Sequence, residues 1–447
     1  MSHHYIQKLL FVSIALACST TTLHAAGFAL ANQSGSGTGN AYAGVAATAD
    51  DASVIWFNPA GMTELPAGTH TAIAGHIIAP KAKFTNNGST NPPALGTKIA
   101  GKNDDGGKTG FIPNAYLVKG KGQKWRFGVG INAPFGLGTK YDEDWVGRYH
   151  TLESNIQTIN FNPSIAYKVN DKLSVGAGIS VQKMEVELTS AVDSKSSCLG
   201  LAARGLIPAS ACTNLADGTV KVEGDNVETG YNLGLLIKPT NKTRVGASYR
   251  SRMQHTLEGN ATFNMPTVLK NVPLFKSDSV TAEAGLPASF SLSVAHQIND
   301  RLELLGDVTR TRWSSFNKLQ VVRNSDNSDV TNLPQNWKDA NRYSIGANYQ
   351  YNNRWKLKAG IAYDETPVPD AVHRSPRTPD TNRTWVSFGA NYKPRKNFSV
   401  DMGYTHIFTK EAEINNKNNI DATRAHTISG TYDSNVNILS TQLNWSF

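Results

Sequence analysis

The sequence predicts an all-β fold: a 14-stranded antiparallel transmembrane β-barrel with an N-terminal hatch, or plug, inside the lumen. Three observations predict it. The chain opens on an export signal. No later apolar run approaches the roughly 20 residues that a membrane-spanning helix needs. From residue 67 to the end, hydrophobicity alternates with period two. In lipid every backbone N–H and C=O must find an internal partner, so an exported membrane protein without apolar helices is left with a closed sheet.

The export signal has its usual parts. Lys8 supplies the positive charge, Leu9 to Cys18 form a short apolar stretch, and after Leu23-His24-Ala25 comes a cut expected between Ala25 and Ala26, with small residues around it. A lipidated Cys18 is the competing reading, and Ala15-Leu16-Ala17 before it matches poorly the Leu-led motif of such processing. The chain of 447 residues divides into a signal peptide at 1–25, a hatch at 26–66 and a barrel at 67–447.

The strands follow from alternation, which puts one face in lipid and the other in the lumen. Trp355, Leu357, Ala359, Ile361 and Tyr363 fall on one face, with Lys356, Lys358, Gly360 and Ala362 on the other. Val175, Ala177, Ile179 and Val181 alternate with Ser174, Gly176, Gly178 and Ser180; Tyr343, Ile345, Ala347 and Tyr349 alternate with Ser344, Gly346, Asn348 and Gln350. A soluble sandwich with one buried face is the competing fold. Inner faces of Gly, Ser, Asn, Lys and Glu, with aromatics at strand ends, argue against it.

Turn signals alternate in length. Short ones stand at 119–123, 170–171, 239–242, 299–300, 352–353 and 394–397; long polar stretches stand at 85–108, 139–150, 190–222, 259–280, 317–336, 364–383 and 413–425. Short periplasmic turns and long external loops are the outer-membrane pattern, and this set implies about 14 strands. The last strand carries Leu443, Trp445 and Phe447 on one face. A terminal aromatic on an amphipathic strand resembles the signal read by the bacterial barrel-assembly machinery, an expected partner in biogenesis.

Composition narrows the function. Charged residues are 18% of the chain and the net charge of +9 is dispersed, which fits a barrel rim and lumen and gives no track for nucleic acid. Of the three cysteines, Cys198 and Cys212 follow the signal, and the oxidising envelope predicts a disulfide between them. The histidines are scattered without metal spacing, and no cofactor is expected. Gly35-Ser36-Gly37-Thr38-Gly39 lacks the preceding strand and following Lys of a phosphate loop. There is no Gly-x-Ser-x-Gly elbow, so an enzyme is not expected.

Residues 26–66 do not alternate. They are small and polar, yet carry Tyr42, Trp56, Phe57 and an Asn-Pro turn, which suits a folded plug better than a disordered tail. Ala26-Gly27-Phe28, the Gly-x-Ala-Tyr-x-Gly at 39–44, Ala-Asp-Asp-Ala at 49–52 and Asn58-Pro59-Ala60 resemble the FadL-type transporters of long-chain fatty acids, which include relatives admitting aromatic hydrocarbons. The resemblance continues through Ile131-Asn132-Ala133-Pro134-Phe135-Gly136-Leu137, Trp145-Val146-Gly147-Arg148-Tyr149 and Asn162-Pro163-Ser164.

It implies that the substrate lands between external loops, moves to a pocket beside the N-terminus and leaves sideways through a gap at an inward kink of the third strand. Asn58, Pro59 and Ala60 would gate the hatch. Asn132, Ala133, Pro134, Phe135 and Gly136 would form the kink, where Pro134 cannot donate to a ladder and Gly136 has no side chain. Phe28 would touch the acyl chain, and Lys183 on the fifth strand would meet its carboxylate if the register placed it inward. In the fourth external loop, Phe263, Met265, Val268, Leu269, Val272, Leu274 and Phe275 form an apolar patch that is either a binding surface or loop-to-loop packing.

The expectation is therefore a monomeric transporter in the bacterial outer membrane, in contact with outer-membrane lipid and lipopolysaccharide, with long-chain fatty acids as substrate. Uptake of aromatic hydrocarbons by the same route is one alternative, and a surface adhesin is another. A general porin is disfavoured by the plug.

Overall fold

The computed structural model describes residues 27–92, 98–417 and 425–447. The expected signal peptide, its cut after Ala25 and Cys18 lie outside the described residues. From residue 69 onward the chain forms one closed antiparallel sheet. Its strands are β1 (Thr69–Asn86), β2 (Gly110–Lys121), β3 in two arms (Trp125–Asn132 and Gly136–Lys140), β4 (Glu153–Lys168), β5 (Leu173–Val192) and β6 (Gly218–Thr240). Four more strands are broken in two: β7 (Thr243–Arg250, Met253–Asn264), β8 (Asp278–Leu286, Ser289–Gln297), β9 (Leu302–Thr311, Lys318–Arg323) and β10 (Asp329–Pro334, Ala340–Gln350). β11 (Trp355–Asp364), β12 (Arg383–Arg395), β13 (Phe398–Thr409, Ala412–Lys417) and β14 (Thr427–Ser446) complete the barrel. β14 returns to β1 from His70 opposite Ser446 to Asn86 opposite Gly430, which joins the last strand to the first and closes the cylinder.

The two faces separate as period two demands. Outward-facing Ile179, Leu233, Leu292, Ile345, Ile361 and Phe388 are exposed around the wall, a surface that water would not tolerate but hydrocarbon matches. Aromatic pairs near the short turns, Trp125–Tyr167, Trp355–Tyr392 and Phe398–Trp445, have ring centroids 4.5, 4.5 and 5.2 Å apart and form the periplasmic girdle. The terminal Phe447 is outward and exchanges backbone hydrogen bonds with Thr69.

Several stretches expected as loops are partly strand. β6 begins at Gly218, the upper arm of β7 runs to Asn264 and β9 resumes at Lys318. The outward residues of that β7 arm include Thr256, Glu258 and Asn260. Above the lipid the outward face meets water, so this arm turns its polar residues out and Met253, Leu257 and Ala261 in, the reverse of the apolar-out pattern that reveals the lipid-level strands.

Candidate functional site

Residues 27–66 lie inside the barrel. The segment is built of Gly, Ala and Ser with two four-residue helices, α1 (Gly35–Thr38) and α2 (Val54–Phe57), and a 3₁₀ turn at Pro59–Glu64. Its main chain rests directly on inward glycines of the wall. A Cβ on Gly246 would stand 1.8 Å from Ala46 O, one on Gly360 2.2 Å from Asn40 O, and one on Gly389 2.7 Å from Gly39 Cα. Gly234 and Gly176 do the same for Asn58 Oδ1 (2.1 Å) and Ala60 N (2.5 Å). The alternation placed these glycines inside; which of them carry the segment is a matter of register between distant strands.

Asn58 is fully buried. Its Nδ2 donates to Ala46 O (2.6 Å) and to Leu235 O of β6 (2.9 Å), while Oδ1 accepts from Ala60 N (3.1 Å). The residue therefore caps the 3₁₀ turn and ties it to the wall. Pro59 opens that turn, where its missing N–H costs nothing. Elsewhere the buried Lys358 donates to Asp401 (2.9 Å) and to Ser36 O (2.8 Å), and Asp50 pairs with Lys356 (3.5 Å).

β3 is interrupted between Asn132 and Gly136. Asn132 stands opposite Asn160 of β4, and Gly136 opposite Gln157. Residues 133, 134 and 135 thus face only 158 and 159, a bulge of one residue. The leader pairs with the displaced chain: Leu30 N donates to Pro134 O (2.8 Å) and Gly136 N to Phe28 O (2.9 Å). Gln33 Nε2 donates to Ala133 O (2.9 Å), and Asn132 Nδ2 to Gln33 Oε1 (2.8 Å).

On its other side β3 leaves β2. Their ladder stops at Ala115 opposite Ile131, and contact resumes above at Gly107 opposite Thr139. Between these points no β2–β3 pairing exists among the described residues. A cavity of about 550 Å³ lies there, lined by Phe111, Ile112, Ile131, Phe135 and Ile159 of the wall and by Leu30 of the leader. Phe111 and Ile159 are outward-facing, so this is an apolar gap through the wall.

Phe28 is buried in an aromatic cage, with ring centroids 4.8 Å from Trp313, 5.5 Å from Phe316, 5.8 Å from Trp337 and 6.1 Å from Phe135. Beside the cage opens a chamber of about 980 Å³, reaching Leu30, Tyr42, Trp56, Phe135, Arg250 and Trp313. Phe135 and Leu30 border both chamber and gap. The Arg250 guanidinium stacks on Trp56 (3.5 Å to the ring centre) and donates to Ser180 Oγ and Trp56 O, both at 3.0 Å. Among the described residues no carboxylate lies within ion-pair distance of it. Trp313 Nε1 and Arg342 Nε are buried there without acceptors. Arg250, Arg342 and Trp313 were not singled out from sequence; an inward-facing Arg at a strand break was the available signal.

Lys183 does not reach this chamber. β5 pairs with β6 without a bulge from Leu173 to Val192, so Gln182 and Met184 point inward while Lys183 is outward, bonded to Glu185 (2.6 Å) and Asp225 (3.5 Å). The fourth-loop patch also differs from an open binding surface. Met265, Leu269 and Phe275 are buried with Cys198 and Cys212, and Phe263, Val268 and Val272 pack at their edge. Leu274 is exposed. Cys198 and Cys212 are joined, in a loop whose helix α3 (Ser194–Ala202) is capped by Asp193. Burial alone raises the Asp193 carboxyl, but bonds from His426 and Ser196 outweigh it and hold the group below its ordinary range. The patch is apolar because two loops pack on each other.

A serine–histidine pair does form across strands: His76 Nδ1 lies 2.7 Å from Ser440 Oγ. Its Nε2 faces Asn114 Nδ2 at 3.1 Å, and that same amide nitrogen donates to Asn32 O. The imidazole therefore accepts at Nε2 and donates from Nδ1 to the serine, the reverse of what a general base needs. The pair sits under the leader, where Thr38 Oγ1 also donates to Ser440.

Residues 16–447 match the family model described as outer membrane protein transport protein (OMPP1/FadL/TodX). The long-chain fatty acid transport protein of Escherichia coli strain K12 is 28% identical, over 92% of this chain and 94% of its own. A solved structure of a Pseudomonas aeruginosa FadL homologue superposes with a TM-score of 0.84 at 25% identity, covering 94% of this chain and all of the other. The Ralstonia pickettii toluene transporter TbuX shares the fold, with a TM-score of 0.67 at 22% identity over 94% of this chain and 100% of its own.

Proposed function

We propose, from the premise that this chain belongs to the FadL and TodX family of outer membrane transport proteins, that it takes up long-chain fatty acids through the chamber and releases them sideways through the β2–β3 gap. Transport of hydrophobic compounds across the outer membrane is the family's role; the choice of a fatty acid is carried by the chamber's unmatched donors. Trp313 Nε1, Arg342 Nε and the uncompensated Arg250 guanidinium border a cavity that Leu30, Tyr42, Trp56 and Phe135 line together with Asp307 and Asp364. A buried donor without an acceptor costs about 1–3 kcal/mol, and a carboxylate relieves it. An aromatic hydrocarbon brings no acceptor and leaves the cost standing.

In this reading the hatch comprises residues 26–66. The acyl chain lies against Phe28 and Phe135 with its carboxylate toward Arg250. Unseating of the leader from Pro134 and Gly136 joins chamber to gap. The apolar gap wall then passes the chain into lipid, so the substrate does not cross the polar half of the lumen. The cage around Phe28 is the observation that favours an aromatic substrate instead, since benzene-sized rings suit edge-to-face packing.

Uptake of labelled oleate and labelled toluene in a deletion strain, with and without this protein, decides between them. Oleate uptake restored by the protein, and lowered by Arg250→Gln or Trp313→Phe with toluene unchanged, is the expected result. Restoration of toluene uptake alone would overturn the fatty-acid reading.

A further inference from the structure

The outer surface of the wall changes character where β7, β8, β9 and β10 break. The breaks are in register: Arg250 pairs with Ser289, Ser289 with Thr311, and Thr311 with Ala340. Below them the exposed outward residues are apolar, with Leu233 of β6, Phe290 and Leu292 of β8 and Val308 of β9. At the breaks come Arg252, Arg310 and Arg312, all exposed. Arg252 and Arg310 each stand about ten residues above the periplasmic turn of their own hairpin, on the order of 25 Å along the membrane normal for a strand tilted about 40°. That is the height of the apolar band of a membrane barrel, so these arginines emerge at the headgroups of the outer leaflet.

The three share one patch. Phe290 stands in register between Tyr249 and Arg310. Arg312 N donates to Ala288 O (2.9 Å), and the residue stands within electrostatic range of the Tyr249 hydroxyl. Ser251, beside Arg252, is tied to Tyr231: its N–H donates to Tyr231 O and its Oγ accepts from Tyr231 N, both at 2.9 Å. The Tyr231 and Tyr249 ring centroids are 5.9 Å apart. A Cβ on Gly285 would stand 2.9 Å from Arg252 Nη2 and 3.1 Å from Ser315 O. The Arg252 guanidinium therefore lies against the turn that Arg312 opens.

Arg310 is answered by Asp339 (3.2 Å). Arg252 is bonded to the neutral side chain of Gln254, and among the described residues no carboxylate stands within ion-pair distance of Arg252 or Arg312. The acids of the same outward face, Glu283 and Glu258, stand higher on their strands, opposite Thr256 and Thr281. Two exposed guanidiniums without counter-charge, set above aromatic and apolar side chains at headgroup height, complement a phosphorylated lipid. The guanidinium fork takes phosphate oxygens in pairs, and the rings below offer an apolar bed for acyl chains.

We propose that Arg252 and Arg312 hold the phosphates of one lipopolysaccharide molecule, whose lipid A lies on the β7–β9 face with acyl chains over Tyr249, Phe290 and Leu292. The face lies about half-way round the barrel from the β2–β3 gap, so the lipid leaves lateral release unobstructed. Arg312 immediately precedes Trp313 of the Phe28 cage, so the bound lipid also fixes the turn that carries that ring. The site is independent of which hydrophobic compound the chamber takes.

The test uses the full mature protein in detergent micelles, with bisphosphorylated lipid A as the probe and native mass spectrometry to read bound lipid. Wild type is expected to bind dephosphorylated lipid A about tenfold more weakly than the phosphorylated form. Arg252→Gln with Arg312→Gln is expected to weaken lipid A about tenfold or more, and the dephosphorylated lipid about twofold or less. Arg252→Lys with Arg312→Lys keeps the charge, loses the fork and falls between. Lys81→Gln with Lys83→Gln removes the same charge from the exposed outward face of β1 and is expected to change lipid A binding about twofold or less. Phosphatidylglycerol is expected to bind wild type and the Arg→Gln pair alike. Heat-modifiable gel mobility checks each barrel, and the comparison of the two lipid A forms on wild type needs no variant.

Equal affinity of wild type for lipid A with and without its phosphates overturns the inference, as does undiminished lipid A binding in the Arg→Gln pair. Equal weakening by the Arg and Lys pairs marks diffuse surface charge and overturns it too. Phosphatidylglycerol bound as tightly as lipid A, and lost with the two arginines, marks a general anionic-lipid contact and overturns the assignment to lipopolysaccharide.

Discussion

Asn58→Ala is the sharpest perturbation of the lumen segment. The buried amide makes bonds of 2.6, 2.9 and 3.1 Å, to Ala46 O, Leu235 O and Ala60 N. Truncation takes the side-chain partner from Ala46 O and Ala60 N in a closed space and cuts the bond that holds them to Leu235 of the wall. Each unmatched group costs about 1–3 kcal/mol, so about 3 kcal/mol is a conservative sum against the seated segment. That energy shifts an equilibrium between seated and unseated leader on the order of a hundredfold. Asn58→Asp is expected to shift it further, because a carboxylate oxygen then faces both carbonyls. The assay is single-channel conductance in planar bilayers, with heat-modifiable gel mobility as the check on the barrel. Opening events are expected to rise from wild type to Asn58→Ala to Asn58→Asp. Equal closed dwell times in all three, with the barrel intact, would refute the assignment of Asn58 as the tie between leader and wall.

Deleting Pro134 removes the extra residue of the bulge and lets β3 continue its ladder toward β2; oleate uptake is expected to fall with assembly intact, and unchanged uptake would separate the gap from transport. Gly246→Val places side-chain atoms where Ala46 O lies 1.8 Å from a built Cβ, so the leader is expected to unseat and become open to protease from the periplasmic face. Replacing Cys198 and Cys212 by Ser opens a loop of sequence separation 14. The loss of about 3 kcal/mol in the chain-entropy model should speed hydrogen exchange in α3 and residues 265–275 while the barrel's melting stays fixed. Burial pushes His150 from 6.5 down to about 3. The opened loop therefore binds a proton that the seated loop refuses, so its stability is full above the ordinary histidine value and is lost as pH falls below it, by about 2 kcal/mol at pH 5. Hydrogen exchange of residues 141–152, corrected for intrinsic rate, should reveal this loss, and His150→Phe should abolish it.

Much of the architecture was legible in the chain. Lipid on one side and water on the other impose alternation on each strand separately, so Ile345 and Ile361 declare their outward face without reference to any partner. The turns at 170–171 and 352–353, the bulge at Pro134 and the non-alternating leader are likewise local in sequence. Lys183 shows the limit of analogy, since alternation alone put it outward and the structure keeps it there.

Only the closed barrel decided the site. The chamber gathers Leu30, Arg250, Trp313 and Arg342, residues far apart in sequence whose convergence depends on register accumulated strand by strand around the cylinder. The gap is a missing relation between β2 and β3, which neither strand records. The seat of the leader is a set of glycines that match its main chain only once the sheet has closed on itself. Solvent acts on each residue where it stands, so the sequence carries its imprint; convergence is a property of the circuit as a whole, and no single stretch of chain contains it.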